Sequence, residues 1–133
     1  MFSVEVRDRI MIGHSLPDPF FGPAQNMHGA TFVVDVAFFR QTLNRQNVVI
    51  DIGAALGVLA ETLKPLKYQN LDALPQFAGV LTTTEFLCKH IFDTMAAAAK
   101  SGMLGADGAG LDRIRVTLHE TDLARASFEG ALA

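Results

Sequence analysis

Residues Met27–Phe39 of this chain read MHGATFVVDVAFF, and this stretch decides the fold. The run is rich in β-branched and aromatic residues, which favour a β-strand. Because alternate residues of a strand share a face, the even-numbered positions from His28 to Phe38 form one face. That face is apolar at every position after His28. The stretch therefore predicts a β-strand that buries one face and begins with a histidine.

A second strand is predicted over Phe2–Ser15. Its even-numbered positions are also apolar and end in His14, except for Asp8, which is typical of a β-bulge. The intervening residues 16–26 include three prolines and a glycine, which predict a loop. If the two strands pair antiparallel across this loop, His14 and His28 become neighbours on one face.

Two imidazoles that meet beneath a loop suggest part of a metal site, because neutral histidine is a preferred zinc ligand. A zinc site needs at least three protein ligands. The natural third position on the strand is two residues beyond His28, where the chain has Ala30. The alternative interpretation of His28 is a histidine at the end of a strand that hydrogen-bonds to the loop.

Length and composition bound the class of protein. The chain has 133 residues, half of them hydrophobic, which predicts one globular domain over residues 1–133. The net charge is -3 and lysine and arginine do not cluster, so nucleic acid is not expected as a partner. The single cysteine permits no internal disulfide and favours a cytoplasmic location. No signal peptide or apolar run of membrane length is visible, so no membrane partner is expected.

Two helices are predicted after the two strands. Asp51 can cap a helix that runs to about Leu63, because the apolar positions that follow Asp51 recur at helical spacing. Thr82 and Glu85 have the spacing of a capping box, which predicts the start of a second helix. The sequence therefore places two helices in succession before the C-terminal part of the chain.

A hairpin is predicted at the end of the chain, with residues 124–130 as its returning strand. One face of its first strand is formed by Ile114, Val116, Leu118 and Glu120. A carboxylate at the end of an apolar face is costly to bury without a partner. Glu120 is therefore expected to bind a protein cation or a ligand, and a ring amino group beside a ring N–H offers two parallel donors. His119 points to the other face and is predicted to lie outside this site.

In this order of elements, ββααββ, the chain resembles the family of 6-pyruvoyl-tetrahydropterin and 6-carboxy-tetrahydropterin synthases over nearly its whole length. The segments that carry the resemblance are His14–Leu16, His28–Phe32, Val48–Asp51, Leu66–Asp72, Thr83–Glu85 and Glu120–Thr121. The resemblance implies an α+β tunnelling fold (T-fold), in which a four-stranded antiparallel sheet carries two helices on one face. It also implies a homo-oligomer, a trimer or a hexamer, with pockets between subunits. Such an assembly would cover the edges of an open sheet.

The family acts on 7,8-dihydroneopterin triphosphate and holds zinc with three histidines. By this resemblance His14 and His28 are metal ligands, and the third ligand would stand at residue 30, which is Ala30 here. Zinc is therefore a possible cofactor with an incomplete site, and low or partial occupancy is expected. The resemblance assigns Glu120 to the amino group and ring N–H of the pterin. It assigns the lining of the pterin pocket to Thr83, Thr84 and Glu85.

The catalytic residues of the family are replaced in this chain. The family has a cysteine shortly before its second zinc histidine, whereas residues 20–26 contain none. It has an Asp-His pair where this chain has Lys67 and Tyr68, next to the matching Leu66 and Asn70. A desolvated Lys67 could act as a base and Tyr68 as a proton donor. Alternatively, Lys67 is solvated and Tyr68 packs at a subunit edge.

Three hypotheses for the function follow, and the first two stay open. The first is an enzyme, by resemblance a carbon–oxygen lyase, with altered chemistry on a pterin-like or purine-like substrate. The second is a non-catalytic oligomer that binds a pterin or a purine. The third, a purely structural oligomer, is disfavoured because a buried Glu120 without a ligand would be costly.

Overall fold

The computed structural model describes residues 1–132 of the chain. Its principal elements follow one another in the order ββααββ, as the sequence predicts. They are β1 (Phe2–His14), β2 (His28–Arg40), α1 (Ile52–Leu63), α2 (Thr84–Lys100), β3 (Arg113–His119) and β4 (Arg125–Ala131). A short 3₁₀ helix, Pro19–Gln25, occupies most of the predicted loop between β1 and β2.

The four strands form one antiparallel sheet in the order β1-β2-β3-β4. β1 and β2 pair along their whole length, and the pairing ends with His14 opposite His28. β3 pairs only with residues 33–39 of β2. The hairpin of β1 and β2 therefore projects beyond β3 at one end, and that end carries both histidines.

The predicted β-bulge at Asp8 is wrong. Asp8 stands in register opposite Val34, within an unbroken series of pairs. Its half-buried carboxylate accepts a hydrogen bond from the backbone N–H of Arg9 at 2.7 Å. This local hydrogen bond gives the carboxylate a partner, and the strand pairing stays regular without the extra residue of a bulge.

Both helices pack on the face of the sheet formed by even-numbered residues, and the core lies between the two layers. Fully buried side chains from the sheet include Ile10, Phe32, Val34, Phe38, Ile114 and Leu118. Those from the helices include Leu59, Leu63, Leu87, Ile91 and Met95. The alternation predicted for the strands is thus confirmed, and so is the α+β arrangement with two helices on one face.

Polar residues cap both helices. The carboxylate of Asp51 accepts a hydrogen bond from the N–H of Ala54 at 3.1 Å, which confirms Asp51 as the N-cap of α1. The cap of α2 is Thr83 rather than the predicted Thr82, because the Thr83 hydroxyl accepts from the N–H of Phe86 at 3.1 Å. Thr82 is buried instead, and its hydroxyl contacts β1.

The outer edge of β1 is joined by the segment that follows α1. The N–H of Tyr68 donates to the carbonyl of Met11 at 2.7 Å, and the N–H of Gly13 donates to the carbonyl of Gln69 at 2.9 Å. Tyr68 adopts a left-handed backbone conformation, with φ 60°, which is uncommon for a bulky residue. This segment is thereby held beside the strand that ends in His14.

The face of the sheet opposite the helices is formed by odd-numbered residues and carries ion pairs. Arg7 pairs with Asp35 at 2.6 Å, and Arg113 pairs with Glu129 at 3.1 Å. Each pair joins neighbouring strands of the sheet. As for the helices, none within residues 1–132 has both the length and the apolar character that crossing a membrane requires.

Candidate functional site

The paired histidines occupy the projecting end of the first hairpin, as predicted. Their ring centroids lie 4.6 Å apart in an edge-to-face arrangement. His14 is buried, and its Nδ1 lies 3.0 Å from the hydroxyl oxygen of Thr82. The Nδ1–H of His28 donates to the backbone carbonyl of Asn26 in the loop at 2.8 Å. Because this bond places a proton on Nδ1, the Nε2 of a neutral His28 carries a lone pair.

The electrostatic surroundings favour a neutral His14. Burial lowers the pKa of the His14 imidazole, and the positive charge of a protonated His28 lowers it further. The carboxylates of Asp72 and Glu120 act in the opposite direction. The contacts of Thr82 with His14 and of Thr84 with Glu120 connect both residues to the segment that opens α2.

The donor set for a zinc ion is incomplete within one chain. Ala30 stands at the third position, on the same face of β2 as His28 and opposite Ile12. Among the side chains that the structure describes, no three histidine, cysteine or acidic groups are arranged to hold a metal ion. Since zinc sites use at least three protein ligands, the residues present do not fit a resident zinc ion in the single chain. The imidazoles of His14 and His28 supply two of the three.

Glu120 lies just past the end of β3, and its carboxylate is exposed. The expected burial of this carboxylate is therefore wrong for the single chain, because the strand pairing ends at His119. The Oε2 of Glu120 accepts one long hydrogen bond, 3.5 Å, from the hydroxyl of Thr84. In the described part of the chain, no lysine, arginine or histidine forms an ion pair with it. Most of its capacity to accept hydrogen bonds is thus unused.

A cleft of about 420 Å³ opens beside this carboxylate. Three of its lining residues are Thr84, Glu85 and Glu120, which the family resemblance assigned to the pterin pocket. Arg125 adds a cation from β4. Thr83 is not part of this lining, because its hydroxyl caps α2. The first turn of α2 and the end of β3 thus form one concave surface.

Lys67 and Tyr68 lie apart from Glu120 in the single chain. Both side chains are exposed, and Tyr68 is 74% accessible to solvent. They follow α1 at the outer edge of β1, and neither lines the two clefts to which Glu120 belongs. A lysine that acts as a base must be desolvated, and Lys67 is not desolvated in the single chain.

Thr82 is a residue of the site that the sequence analysis missed. It is 1% exposed, and its hydroxyl links His14 to the segment that leads into α2. The signal in the sequence was the run of three threonines, Thr82–Thr84, before the second helix. A helix cap needs the hydroxyl of one of them, so the others are available for further contacts.

A second cleft, of about 290 Å³, shares Glu120 and opens towards the face opposite the helices. Its lining also includes Arg7 and His119. His119 points away from the helices, as predicted. It nevertheless lines this cleft together with Glu120. The contact of Arg7 with Asp35 could have been predicted from the sequence, because pairing His14 with His28 places these two residues opposite each other. The position of His119 depends on the register of β2 with β3.

Cys88, the one cysteine of the chain, does not replace the missing catalytic cysteine. It is buried on α2, and its Sγ lies 3.3 Å from the carbonyl oxygen of Ala126. Burial raises the pKa of this thiol to about 11. A nucleophilic thiolate is therefore not formed at neutral pH.

The arrangement of the sheet and the two helices defines the class of protein to which the chain belongs. A four-stranded antiparallel sheet of this order with two helices on one face is a tunnelling fold. A family profile described as 6-pyruvoyl tetrahydropterin synthase matches residues 3–131. The chain therefore belongs to the 6-pyruvoyl tetrahydropterin synthase family. No curated protein sequence matches it significantly.

Solved structures share this fold at low sequence identity. Caenorhabditis elegans 6-pyruvoyl tetrahydropterin synthase is similar with a TM-score of 0.81 and 19% identity, over 98% of this chain and 96% of that chain. The Plasmodium vivax 6-pyruvoyl tetrahydropterin synthase has a TM-score of 0.78 and 12% identity, over 98% and 99%. An uncharacterized protein from Wolinella succinogenes has a TM-score of 0.68 and 14% identity, over 96% and 97%. At these identities the likeness establishes the fold alone.

Proposed function

We propose that the protein binds a dihydropterin such as 7,8-dihydroneopterin triphosphate, and that Glu120 anchors the pterin ring. Membership of the family supports a pterin-related function. The observation that carries the proposal is the carboxylate of Glu120, which is exposed at the junction of two clefts. A pterin presents an amino group beside a ring N–H, and these two parallel donors match the two oxygens of a carboxylate.

Neighbouring residues suit the rest of such a ligand. The hydroxyl of Thr84 already lies 3.5 Å from Oε2 of Glu120 and helps to orient the carboxylate. Glu85 lines the same cleft and can accept further hydrogen bonds. Arg125 offers a cation to the phosphate groups, for which guanidinium is a preferred partner.

We infer that the chemistry differs from the usual reaction of the family. The chain has two imidazoles where that reaction uses three zinc ligands, so low or partial zinc occupancy is expected. It also lacks the catalytic cysteine and the Asp-His pair. A carbon–oxygen lyase step would need other acid–base groups, and Lys67 and Tyr68 could supply them from the edge of a neighbouring subunit.

The second candidate function is a non-catalytic oligomer that binds a pterin or a purine. The observation in its favour is the exposure of Lys67 and Tyr68, since neither is held in a desolvated pocket of the single chain. Guanine carries the same amino group and ring N–H as a pterin. Glu120 therefore suits both ring systems, and a competition between the two ligands separates them.

A fluorescence titration with 7,8-dihydroneopterin triphosphate tests the binding proposal. Glu120→Gln replaces one of the two acceptors with a donor and removes the charge. We expect binding to weaken by about 10- to 100-fold or more, because a hydrogen bond to a charged group is lost and donors face each other. Glu129→Gln is the matched control, since Glu129 is an exposed carboxylate on β4 outside both clefts of Glu120.

Chromatography of the pterin after incubation separates the two candidate functions. A new product supports the altered enzyme, and unchanged ligand that binds tightly supports the binding protein. Affinity that is equal in the wild type and in Glu120→Gln would refute the assignment of the pocket.

We also propose a cytoplasmic homo-oligomer, a trimer or a hexamer, with its pockets between subunits. The outer edge of β4 and the part of the β1 edge that the segment after α1 does not join are unpaired, and association would cover them. Large apolar side chains are exposed near the histidine end, among them Met11, Phe20 and Met27. Sedimentation velocity measures the assembly, and a monomer at micromolar concentration would contradict it.

A further inference from the structure

On the face of the sheet opposite the helices, the buried carboxylate of Asp35 is hydrogen-bonded to His119. Asp35 lies within β2, and its side chain is 5% exposed. Arg7 donates to it twice, from Nε to Oδ1 at 2.6 Å and from Nη2 to Oδ2 at 2.8 Å. The Nε2 of His119 lies 2.7 Å from the same Oδ2. Neither the histidine pair nor the proposed anchor of the pterin uses this Arg–Asp–His cluster.

The geometry sets the protonation of the cluster. The hydrogen bonds from Arg7, and less strongly the bond from His119, hold the pKa of the Asp35 carboxyl below its ordinary value despite burial. An ionised carboxylate can only accept, so the proton of the shared bond belongs to Nε2 of His119. The Nδ1 of the neutral ring then carries a lone pair. The shared hydrogen bond with Asp35 also fixes the tautomer and the orientation of the ring.

His119 is placed beside the proposed ligand anchor. Its side chain is 20% exposed, so the ring is reachable from solvent and yet largely desolvated. It lines the cleft of about 290 Å³ together with Glu120, the next residue in the chain. A ring that Glu120 holds within this cleft of about 290 Å³ therefore lies next to the imidazole.

We propose that His119 is the general base for a proton transfer on the ring ligand that Glu120 anchors. Asp35 and Arg7 are positioning residues, because they orient the imidazole and hold its carboxylate partner ionised. The inference rests on the proposed function and extends it. It gives this chain an Asp-His pair for acid–base work, on the opposite side of the sheet from the paired histidines.

The step is a tautomerisation of a dihydropterin. Nδ1 of His119 takes a carbon-bound proton next to the C=N bond of the ring. The electron pair of the broken C–H bond forms a C=C bond, the C=N pair moves to nitrogen, and that nitrogen takes a proton from water. The imidazolium then returns its proton to water, so atoms and electrons balance without an oxidant or a reductant.

Deuterium exchange measures this step. The protein is incubated in D₂O with 7,8-dihydroneopterin triphosphate, and the mass of the recovered ligand is followed while its fluorescence reports binding. We expect the wild type to introduce deuterium at carbon. His119→Gln should slow the exchange by about 10²-fold or more and leave the affinity unchanged. The amide of glutamine can still donate to Asp35, so the buried carboxylate keeps a second partner.

Two further variants sharpen the result. Glu129→Gln removes another carboxylate that pairs with arginines on the same face of the sheet, and its exchange rate should match the wild type. His119→Ala with added imidazole should recover part of the exchange, which a purely structural role would not produce. Equal exchange in the wild type and in His119→Gln, or no exchange from a ligand that binds, overturns the inference alone. A ligand that does not bind overturns the proposed function and this inference with it.

Discussion

The hydroxyl oxygen of Thr82 lies 3.0 Å from Nδ1 of His14, although 68 residues separate the two along the chain. Both residues are buried, His14 to 4% exposure and Thr82 to 1%. The bond joins the end of β1 to the segment that leads into α2. It thereby holds the histidine pair close to Thr84 and Glu120, which border the candidate pocket.

Thr82→Val keeps the shape of the side chain and removes this hydrogen bond. We expect the free energy of unfolding to fall by about 1–3 kcal/mol, because Nδ1 of His14 is left buried without its partner. Urea unfolding followed by circular dichroism measures the change. Thr94→Val is the control, since the exposed Thr94 hydroxyl only contacts the carbonyl of His90 in its own helix. Equal losses in both variants would show that the bond to His14 contributes no stability.

Ala30→His should complete the metal site. The new imidazole would stand on the same face of β2 as His28 and supply the missing third ligand. After dialysis we expect the wild type to hold well under stoichiometric zinc and the variant to hold about one ion per chain. Thr31→His is the control, because residue 31 points to the opposite face. Stoichiometric zinc in the dialysed wild type, measured by plasma mass spectrometry, contradicts this prediction.

We expect the protein to lose stability in acid because of the ion pairs around Asp35. Hydrogen bonds, chiefly from Arg7, lower the pKa of the folded Asp35 carboxyl below its ordinary value of 3.8. A lowered pKa contributes stability that is present above the ordinary value and is lost as the pH falls through the folded value. Asp35→Asn should therefore be less stable than the wild type at pH 7 and lose less stability below about pH 4.

Urea unfolding at several pH values between neutrality and strong acid tests this prediction. Glu129→Gln is again the control, because the ion pairs of Glu129 are partly exposed and contribute little to stability. Parallel pH profiles of the wild type and Asp35→Asn would mean that the Asp35 carboxyl does not titrate differently on folding.

A larger residue at Gly130 in β4 is expected to clash with a neighbouring side chain. A Cβ atom at this position would lie 2.5 Å from Cζ of Phe92, whose ring packs on Phe128 with centroids 4.8 Å apart. Gly130→Ala should destabilise the protein by about 1–3 kcal/mol, because the crowded ring must move. Gly57→Ala, on the exposed side of α1 with no atom near the new Cβ, should instead stabilise it by up to about 1 kcal/mol. Thermal unfolding of both variants measures this, and the same sign in both would contradict the packing argument.

The first hairpin could be predicted closely. Most even-numbered positions of both strands are apolar, so a shift of the pairing by one residue would turn this set towards solvent. Antiparallel pairing across the loop then makes His14 and His28 neighbours on one face, and the structure confirms this by placing them opposite each other. The helix from Asp51 to Leu63 was predicted equally well, because its cap and its helical spacing agree.

The cap of α2 and the surroundings of Glu120 could not be predicted. Thr82 and Thr83 have the same side chain, and only the proximity of His14 decides which hydroxyl remains for the helix. The face of β3 predicts where Glu120 points but not where the strand pairing ends, so its exposure was missed.

By itself the sequence determined the order of the elements and the face that each strand of the first hairpin buries. These features depend on local spacing and on the separation of apolar from polar positions, which are properties of neighbouring residues. Only the tertiary structure decided that Thr82 meets His14 and that Asp35 receives both Arg7 and His119. The contacts of His14 with Thr82 and of Asp35 with His119 join residues 68 and 84 positions apart, and they depend on how the sheet and helices pack.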